Sequence, residues 1–320
     1  MKDLNEIREC REQRFLFKVE NSHDYKDYRK YERLRLKIWG DPSDKLPSER
    51  NMLNENYIDK GSALFIAVYV QEDSGSFPED WAHFVGFSYG FVGVRDKEKG
   101  FSRQDNLRFY SQYTAVKEEF RKYGLGIAIK EFQKKVLLDL FRVHEVICTF
   151  DPLTGVNAYR NIHYFGMNIL EYEESLYSDF FGYLNREDVP CDRFLVSWNL
   201  LEDTQRSKFD VNELLESGCL VIESRAIKVQ GKTGPGFVNS VKNVSLKKNR
   251  EQLLVEIPYD FYWMLEETHV EERTVKKIPI EWRLATRKAF QVLFKRGYRV
   301  KDFCTVVLED RKRSFYMLSL

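Results

Sequence analysis

The chain has 320 residues, of which 43% are apolar and 32% charged. That excludes an intrinsically disordered chain and is long enough for two modest domains. Lys and Arg number 51 against 50 Asp and Glu, so no bulk charge steers the protein toward nucleic acid.

In chain order, the opening MKDLNEIRECREQRF alternates charges around no apolar core, so no signal peptide is expected. No apolar run is long enough to span a bilayer, so no membrane partner is expected either. FLFKVE (Phe15–Glu20) reads as a strand. Asp24 caps a helix that runs to about Trp39 and closes at GDPSD, and a second helix covers Ser48 to Asp59. ALFIAVYV (Ala63–Val70) has the run of a buried strand. The polar turn QEDSGSFPED follows, then strands over Ala82–Val94 and Leu107–Val116. RKYGLGIAIKEF (Arg121–Phe132) opens a helix with an apolar stripe at Ile129, Phe132, Val136 and Leu140. Lys130, Lys134 and Asp139 lie off that stripe. His144–Phe150 is the next strand, Val156–Phe165 a short helix ending at Gly166, and MNILEY and RFLVSW two more strands. Strand, glycine turn, helix and strand in the middle make a crossover unit with a parallel pair.

Past Glu202 the polar joint EDTQRSKFD leads to a strand (CLVIES), a Gly/Asn/Lys-rich loop and a strand (LLVEIP). A long helix (Ile280–Arg296) and two final strands end the chain. AYRNIHYFGM and AFQVLFKRGY share an alanine-to-glycine spacing, either as a repeat or as a common way for a helix to hand over to a strand. Two domains are expected, 1–203 and a smaller α/β domain over 204–320. Apolar helix positions such as Trp282, Ala285, Ala289 and Leu293 should dock the second on the first. The cysteines Cys10, Cys148, Cys191, Cys219 and Cys304 have no metal-ligand spacing. They read as reduced, mostly buried thiols of a cytoplasmic protein, and no metal is expected.

The glycine turn is the one local pattern that points to a ligand. Arg/Gln-x-x-Gly-x-Gly/Ala arises by chance about 0.3 times in a chain this long, so its context decides. Here it follows a strand and opens an amphipathic helix, so its amides can converge on one anion. The dinucleotide fingerprint needs a third glycine where this chain has Ile129. GKT at Gly231–Thr233 is no P-loop, because the required upstream glycine falls at Ala226.

VKEEFRKYGLGIAIK resembles the acyl-CoA-binding signature of the GNAT superfamily of acyltransferases. The strand order over about Phe15–Leu201 resembles that fold too, an α/β fold with a mixed central sheet flanked by helices. TFDPLTGVNAYRNIHYFG, CDRFLVSW and IPIEWRLATRKAFQVLFKRGYRVKDF are similar to a predicted prokaryotic group of GNAT acyltransferases. Some members of that group accompany N-acylamino-acid racemases. The resemblance implies that Arg121, Lys122, Tyr123, Gly124, Leu125 and Gly126 hold the pyrophosphate of coenzyme A. Pantetheine would lie between Leu107–Val116 and His144–Phe150, with the backbone near Val116 facing the thioester carbonyl. The implied co-substrate is acetyl-CoA or another acyl-CoA, such as succinyl-CoA.

Acyl transfer from a thioester needs a positioned donor, a deprotonated amine, a stabilised oxyanion and a proton for the leaving thiolate. Asn157, Asn161 and Tyr164 share a helix face by spacing. Amides there suit pantetheine, or else Asn157 starts the helix and Asn161 is solvated. The family's tyrosine acid would fall at Ile162, which leaves Tyr164 and Tyr159 as candidates, and His163 as a surface or packing residue. On the strand, Tyr113 and Gln112 lie on opposite faces, and tyrosine is a poor base. Glu118 and Glu119 read as solvated, so a water chain or a free amine is an equal alternative. Arg193 could pair with a carboxylate on the acceptor or on a succinyl donor, or with Asp192 to pin the loop YSDFFGYLNREDVP. Arg283 and Arg287 could do the same or form a solvated face. The expected activity is CoA-dependent transfer of an acetyl or succinyl group to a small amine, an amino acid first. The alternatives are a non-catalytic acyl-CoA-binding protein and transfer to a protein or aminoglycoside-like amine. The expected partners are acyl-CoA and a small-molecule amine, with a homodimer left open.

Overall fold

β1 (Asn5–Cys10) and β2 (Gln13–Val19) form an antiparallel hairpin that turns through Arg11 and Glu12, both at positive φ. The first strand was not anticipated. The computed structural model describes residues 4–41, 45–58, 63–177, 182–204, 209–308 and 310–320. Asp59, which closes the expected second helix, lies outside these residues, as do 178–181 of the expected loop and 205–208 of the expected joint. The chain divides into two compact units, Met1–Cys148 with Asn199–Glu202 and Thr149–Trp198 with Asp203–Leu320.

In the first unit the side chain of Asp24 accepts from the amide of Lys26 (2.9 Å) and starts a 3-10 turn that leads into α1 (Arg29–Trp39). α2 (Glu49–Leu53) is capped by Ser48, which accepts from the amide of Asn51 (3.3 Å). It passes into a π turn, Asn54–Ile58, within the span of the expected second helix. β3 (Ala63–Val70), β4 (Phe84–Val94), β5 (Leu107–Val116), α3 (Leu125–Val136) and β6 (Glu145–Phe150) follow. The sheet runs in the order β1-β2-β3-β4-β5-β6, antiparallel as far as β5 and parallel between β5 and β6. β3 is buried along nearly its whole length, because helices cover both faces of the sheet and its apolar run needs no alternation. Tyr28, Tyr31, Phe65, Phe84, Phe87 and Tyr89 fill the core on the α1 side.

α3 corrects two expectations. Ile129, Phe132 and Val136 are buried, but Leu140 is 40% exposed, because a π turn over Leu137–Phe141 rotates it off the stripe. Lys130, expected off the stripe, is 2% exposed; its ammonium donates to Ser111 Oγ (2.6 Å).

The second unit begins with α4 (Gly155–Ala158) and a π turn, Tyr159–Tyr164, before β7 (Asn168–Glu173) and its antiparallel partner β8 (Arg193–Asn199). Then come α5 (Val211–Glu216), β9 (Leu220–Gly231), β10 (Gly234–Val244), β11 (Gln252–Ile257), α6 (Phe261–Glu267), α7 (Arg273–Lys276), α8 (Ile278–Lys295), β12 (Arg299–Leu308) and β13 (Arg311–Ser319). The second sheet is ordered β10-β9-β11-β13-β12. The expected Gly/Asn/Lys-rich loop is instead the hairpin of β9 and β10. Gly231 pairs with Gly234, and Lys232 and Thr233 make the turn. Trp282, Ala289 and Leu293 of α8 are buried, and the Trp282 indole N–H donates to the carbonyl of Asn239 (2.8 Å). The architecture is therefore mixed α/β, a large mixed sheet flanked by helices with a second sheet in the C-terminal region. Among the described residues no helix is long and apolar enough to cross a membrane.

Candidate functional site

β5 changes face halfway along its length. Tyr113 pairs with Tyr89 and Ser111 with Gly90, which leaves Gln112 as an extra residue, a β-bulge. Before the bulge the odd positions face α3: Ser111 binds Lys130 of α3, and the Phe109 ring covers Gly90. A Cβ on Gly90 would fall 2.3 Å from the Tyr110 carbonyl and 2.5 Å from the Phe109 ring, so this crossing requires glycine. After the bulge Tyr113 and Ala115 join the aromatic core on the α1 side, with the Tyr113 ring 5.2 Å from Trp39. Gln112 is exposed, as the bulged residue.

The same bulge exposes backbone. The amide of Lys117 donates to the carbonyl of Val85 (2.8 Å). By alternation, residues 117, 115 and 113 turn their backbone toward β4, and the amides of Thr114 and Val116 point away from it. Among the described residues the ladder between β5 and β6 covers Phe109–Val146 and Tyr110–Ile147. β5 then runs on to Val116, past that ladder.

This opening leads into the glycine turn. A 3-10 turn over Glu118–Tyr123 ends at Gly124, which sits at φ 73° as the residue before α3. The amides of Ile127 and Ala128 return to the Gly124 carbonyl (3.0 and 3.3 Å). Those of Leu125 and Gly126, the first two in the helix, point out along its axis. Leu125 is buried and anchors the turn, and Tyr123 packs on Phe15 at 5.4 Å. A Cβ on Gly124 would meet nothing within 4 Å, so the space beside this residue is open. Arg121 and Lys122 are exposed beside it, and Arg11 binds the Lys122 carbonyl. The turn thus presents the N-terminus of α3 with Arg11, Arg121 and Lys122 beside it, the kind of place where an anion is favoured. Glu118 and Glu119 are exposed, as expected.

Of the expected site residues, Tyr113, Val116 and the six from Arg121 to Gly126 thus belong to the first unit. Tyr159, Tyr164, Asn157, Asn161 and Arg193 belong to the second. The π turn alters the spacing there: Asn161 is buried, and Asn157 is only partly so. Arg160 ties the two amides together, donating to Asn157 Oδ1 (2.9 Å) and Asn161 Oδ1 (3.2 Å). The Tyr159 ring lies 4.9 Å from that of His163, tilted by 31°, and His163 Nδ1 lies 2.8 Å from Asp302. Ile162, where the resemblance implied a tyrosine, is buried.

The arginines of α8 correct the sequence reading most clearly. Arg283 is buried and grips Asp151 through both terminal nitrogens (2.8 and 2.5 Å). Arg287 binds Asp192 through Nε and one terminal nitrogen (2.9 and 2.6 Å). Neither lies on a solvated face. The partner of Asp192 is therefore Arg287, and Arg193 instead lies 3.7 Å from Asp151 with its guanidinium over Tyr177 (5.5 Å). Burial pushes the Tyr262 hydroxyl, near Asp151 and Arg193, up to about 12.

Sequence reasoning also missed a carboxylate. Glu55, on the π turn after α2, accepts the hydroxyl of Tyr89 (3.3 Å), and burial raises its pKa above the ordinary glutamate value. Only the turn geometry brings it over β4, and no motif marks it.

No protein-family model matches the chain, and no curated protein does. Several solved structures share part of its course. NAA60 of Arabidopsis thaliana, in complex with a bisubstrate analogue, is 14% identical over 57% of this chain and 97% of its own, with a TM-score of 0.42. Ard1 of Thermoplasma volcanium is 16% identical over 58% and 99%, with a TM-score of 0.38. The ribosomal-protein-S5-alanine acetyltransferase of Vibrio fischeri is 11% identical over 62% and 98%, with a TM-score of 0.42.

Proposed function

We propose that the protein is an acyl-CoA-dependent N-acyltransferase that moves an acetyl or succinyl group to the amine of a small acceptor, an amino acid first. The observation that carries this reading is the continuity of β5 with the glycine turn. The strand bulges at Gln112, turns the amides of Thr114 and Val116 away from β4, and runs directly into a helix N-terminus flanked by cations. An extended amide-rich chain ending in a diphosphate fits that sequence of donors. Pantetheine would bond the strand backbone as an added strand, and the diphosphate would sit on the amides around Leu125 and Gly126. One outward amide of β5 would then serve the oxyanion of the tetrahedral intermediate.

The narrower assignments belong to the same reading. They are membership of the prokaryotic group that accompanies N-acylamino-acid racemases, carboxylate recognition by Arg193, pantetheine contacts from Asn157 and Asn161, and a proton for the leaving thiolate from Tyr164 or Tyr159. A non-catalytic acyl-CoA binder is the second reading, favoured by the buried Ile162 in place of a tyrosine acid. The test is a thermal-shift series with CoA, acetyl-CoA and succinyl-CoA, followed by mass spectrometry of reactions with amino-acid mixtures. Stabilisation by acyl-CoA together with an acylated amino acid is the expected result. Stabilisation with no product from any amine selects the second reading, and no stabilisation rejects both.

A further inference from the structure

On the acyl-CoA reading the donor starts at the amides around Leu125 and Gly126 and runs back along β5. It can go no further than Tyr110, because from there β6 takes the edge of the strand through the pair Tyr110–Ile147. Its reactive end then lies beside the bulge at Gln112. The acceptor amine has to arrive over a face of the sheet that is not covered. The α3 face is closed: Lys130 binds Ser111 (2.6 Å), Gln133 Nε2 donates to Ser88 Oγ (2.7 Å), and Ile129 is fully buried. On the other face Trp39 packs on Tyr113 (5.2 Å), but Gln112 is exposed, Tyr110 half-buried and Phe91 38% exposed.

Four positions of that open face belong together. Phe109 and Gly90 face α3, so by alternation Arg108 and Tyr110 of β5 and Phe91 and Gly93 of β4 face the other way. Tyr110 pairs with Phe91, and Arg108 with Gly93. The Phe91 and Tyr110 rings lie 5.5 Å apart, tilted by 47°. Gly93 puts no side chain over Arg108, and a Cβ there would meet nothing within 4 Å. Arg108 is half-buried, and among the described residues it has no hydrogen-bond or ion-pair partner. The carboxylate of Glu145, one residue before Val146 on β6, is bound by Arg95 (2.9 Å). A half-buried guanidinium with no counter-charge, set beside two aromatic rings, is suited to a bidentate carboxylate with an apolar group attached. Arg193, by contrast, has Asp151 at 3.7 Å and the Tyr177 ring beneath it.

We propose that Arg108 binds the carboxylate of the acceptor while Phe91 and Tyr110 receive its side chain, so that the acceptor is an apolar or aromatic amino acid held with its amine toward Gln112. This rests on the acyl-CoA reading above and names the acceptor class of that same site. Arg108 lies four residues, about 13 Å, along the strand from the bulge, a span that an arginine side chain and an amino acid bridge together. Arg193 is then left to a carboxylate on a succinyl donor.

The test measures thiol release from acetyl-CoA with the twenty amino acids and with phenethylamine, which is phenylalanine without its carboxylate. It compares the parent with Arg108→Gln, Gly93→Leu, Phe91→Ala and Arg193→Gln, with CoA thermal shifts on each. The parent should prefer phenylalanine and leucine to aspartate and lysine, and phenylalanine to phenethylamine. Arg108→Gln should raise KM for phenylalanine about 30-fold and move that for phenethylamine by less than about threefold. Gly93→Leu, which fills the space beside Arg108, should raise KM for phenylalanine as well, and Phe91→Ala should narrow the preference for phenylalanine over aspartate. CoA should stabilise all the variants like the parent. An Arg108→Gln KM for phenylalanine within about threefold of the parent overturns the proposal. So does a parent that prefers phenethylamine, aspartate or lysine, or a rise in KM at Arg193→Gln in place of Arg108→Gln. A parent that CoA does not stabilise, or that releases no thiol with any of these amines, overturns the acyltransferase reading, and this proposal with it.

Discussion

The ammonium of Lys130 lies 2.6 Å from Ser111 Oγ, a contact between the middle of α3 and the last residue of β5 before its bulge. Both groups are buried, so the bond is formed where water cannot replace it. Ser111→Ala should therefore destabilise the protein by about 1–3 kcal/mol, read as a lower urea midpoint at unchanged slope. A change below about 0.5 kcal/mol would show that Lys130 is held elsewhere.

Gly124 sits at φ 73° with open space where a Cβ would go. Gly124→Val should thus fold, at a cost of about 1–2 kcal/mol for a left-handed β-branched residue, and should place methyl groups before the amides of Leu125 and Gly126. CoA should then give no thermal shift. A variant that folds and binds CoA like the parent would remove the glycine turn from the site.

Asp192 has a pKa below the ordinary aspartate value. Burial raises it, but hydrogen bonds from Arg287 and Tyr172, the charge of Arg283 and the amide of Ser175 together prevail. A carboxylate lowered in the folded state adds stability above its unfolded pKa, about 3.9, and loses it as pH falls through the folded value. The parent should lose stability on acidification below about pH 4. Asp192→Asn should be less stable at pH 7 by about 3 kcal/mol and show a shallower acid limb. Denaturation midpoints from pH 7 to pH 3 check both slopes.

Tyr164→Phe removes only a hydroxyl. Under the acyltransferase reading, turnover should fall about 100- to 10,000-fold with CoA stabilisation unchanged. Unchanged turnover makes Tyr164 a packing residue and Tyr159→Phe the next variant to measure.

Element types in the first unit were largely legible because their periods are plain. The buried run Ala63–Val70, the strand Leu107–Val116 and the parallel crossover through α3 are observed as expected. The bulge was not legible. Phe109, Ser111, Tyr113 and Ala115 are buried in regular alternation, so the sequence shows one face where the strand uses two. Only covering both faces of the sheet makes a change of face invisible in the pattern. π turns were missed for a related reason. They keep the composition of a helix while shifting its spacing, which moved Leu140 outward, buried Asn161 and carried Glu55 over β4. Arg283 and Arg287 read as solvent-facing because their carboxylate partners, Asp151 and Asp192, are more than 90 residues away in the chain. Gly166 and Gly297, the echo between the two helix ends, both have positive φ and precede β7 and β12. That agrees with a shared helix-to-strand hand-over.

A strand that belongs to one layer for its first half and to the other for its second cannot be locked by either layer alone. With α3 docked and α1 absent, Phe109 and Ser111 have partners, but Tyr113 and Ala115 do not, and a one-residue slip that erases the bulge costs little on that side. The register of β5, and with it the direction of the Thr114 and Val116 amides, is thus settled only when both helical layers close on the sheet. In hydrogen exchange the half of β5 beyond Gln112 should open together with α1 and the half before it with α3, two protection classes within a single strand.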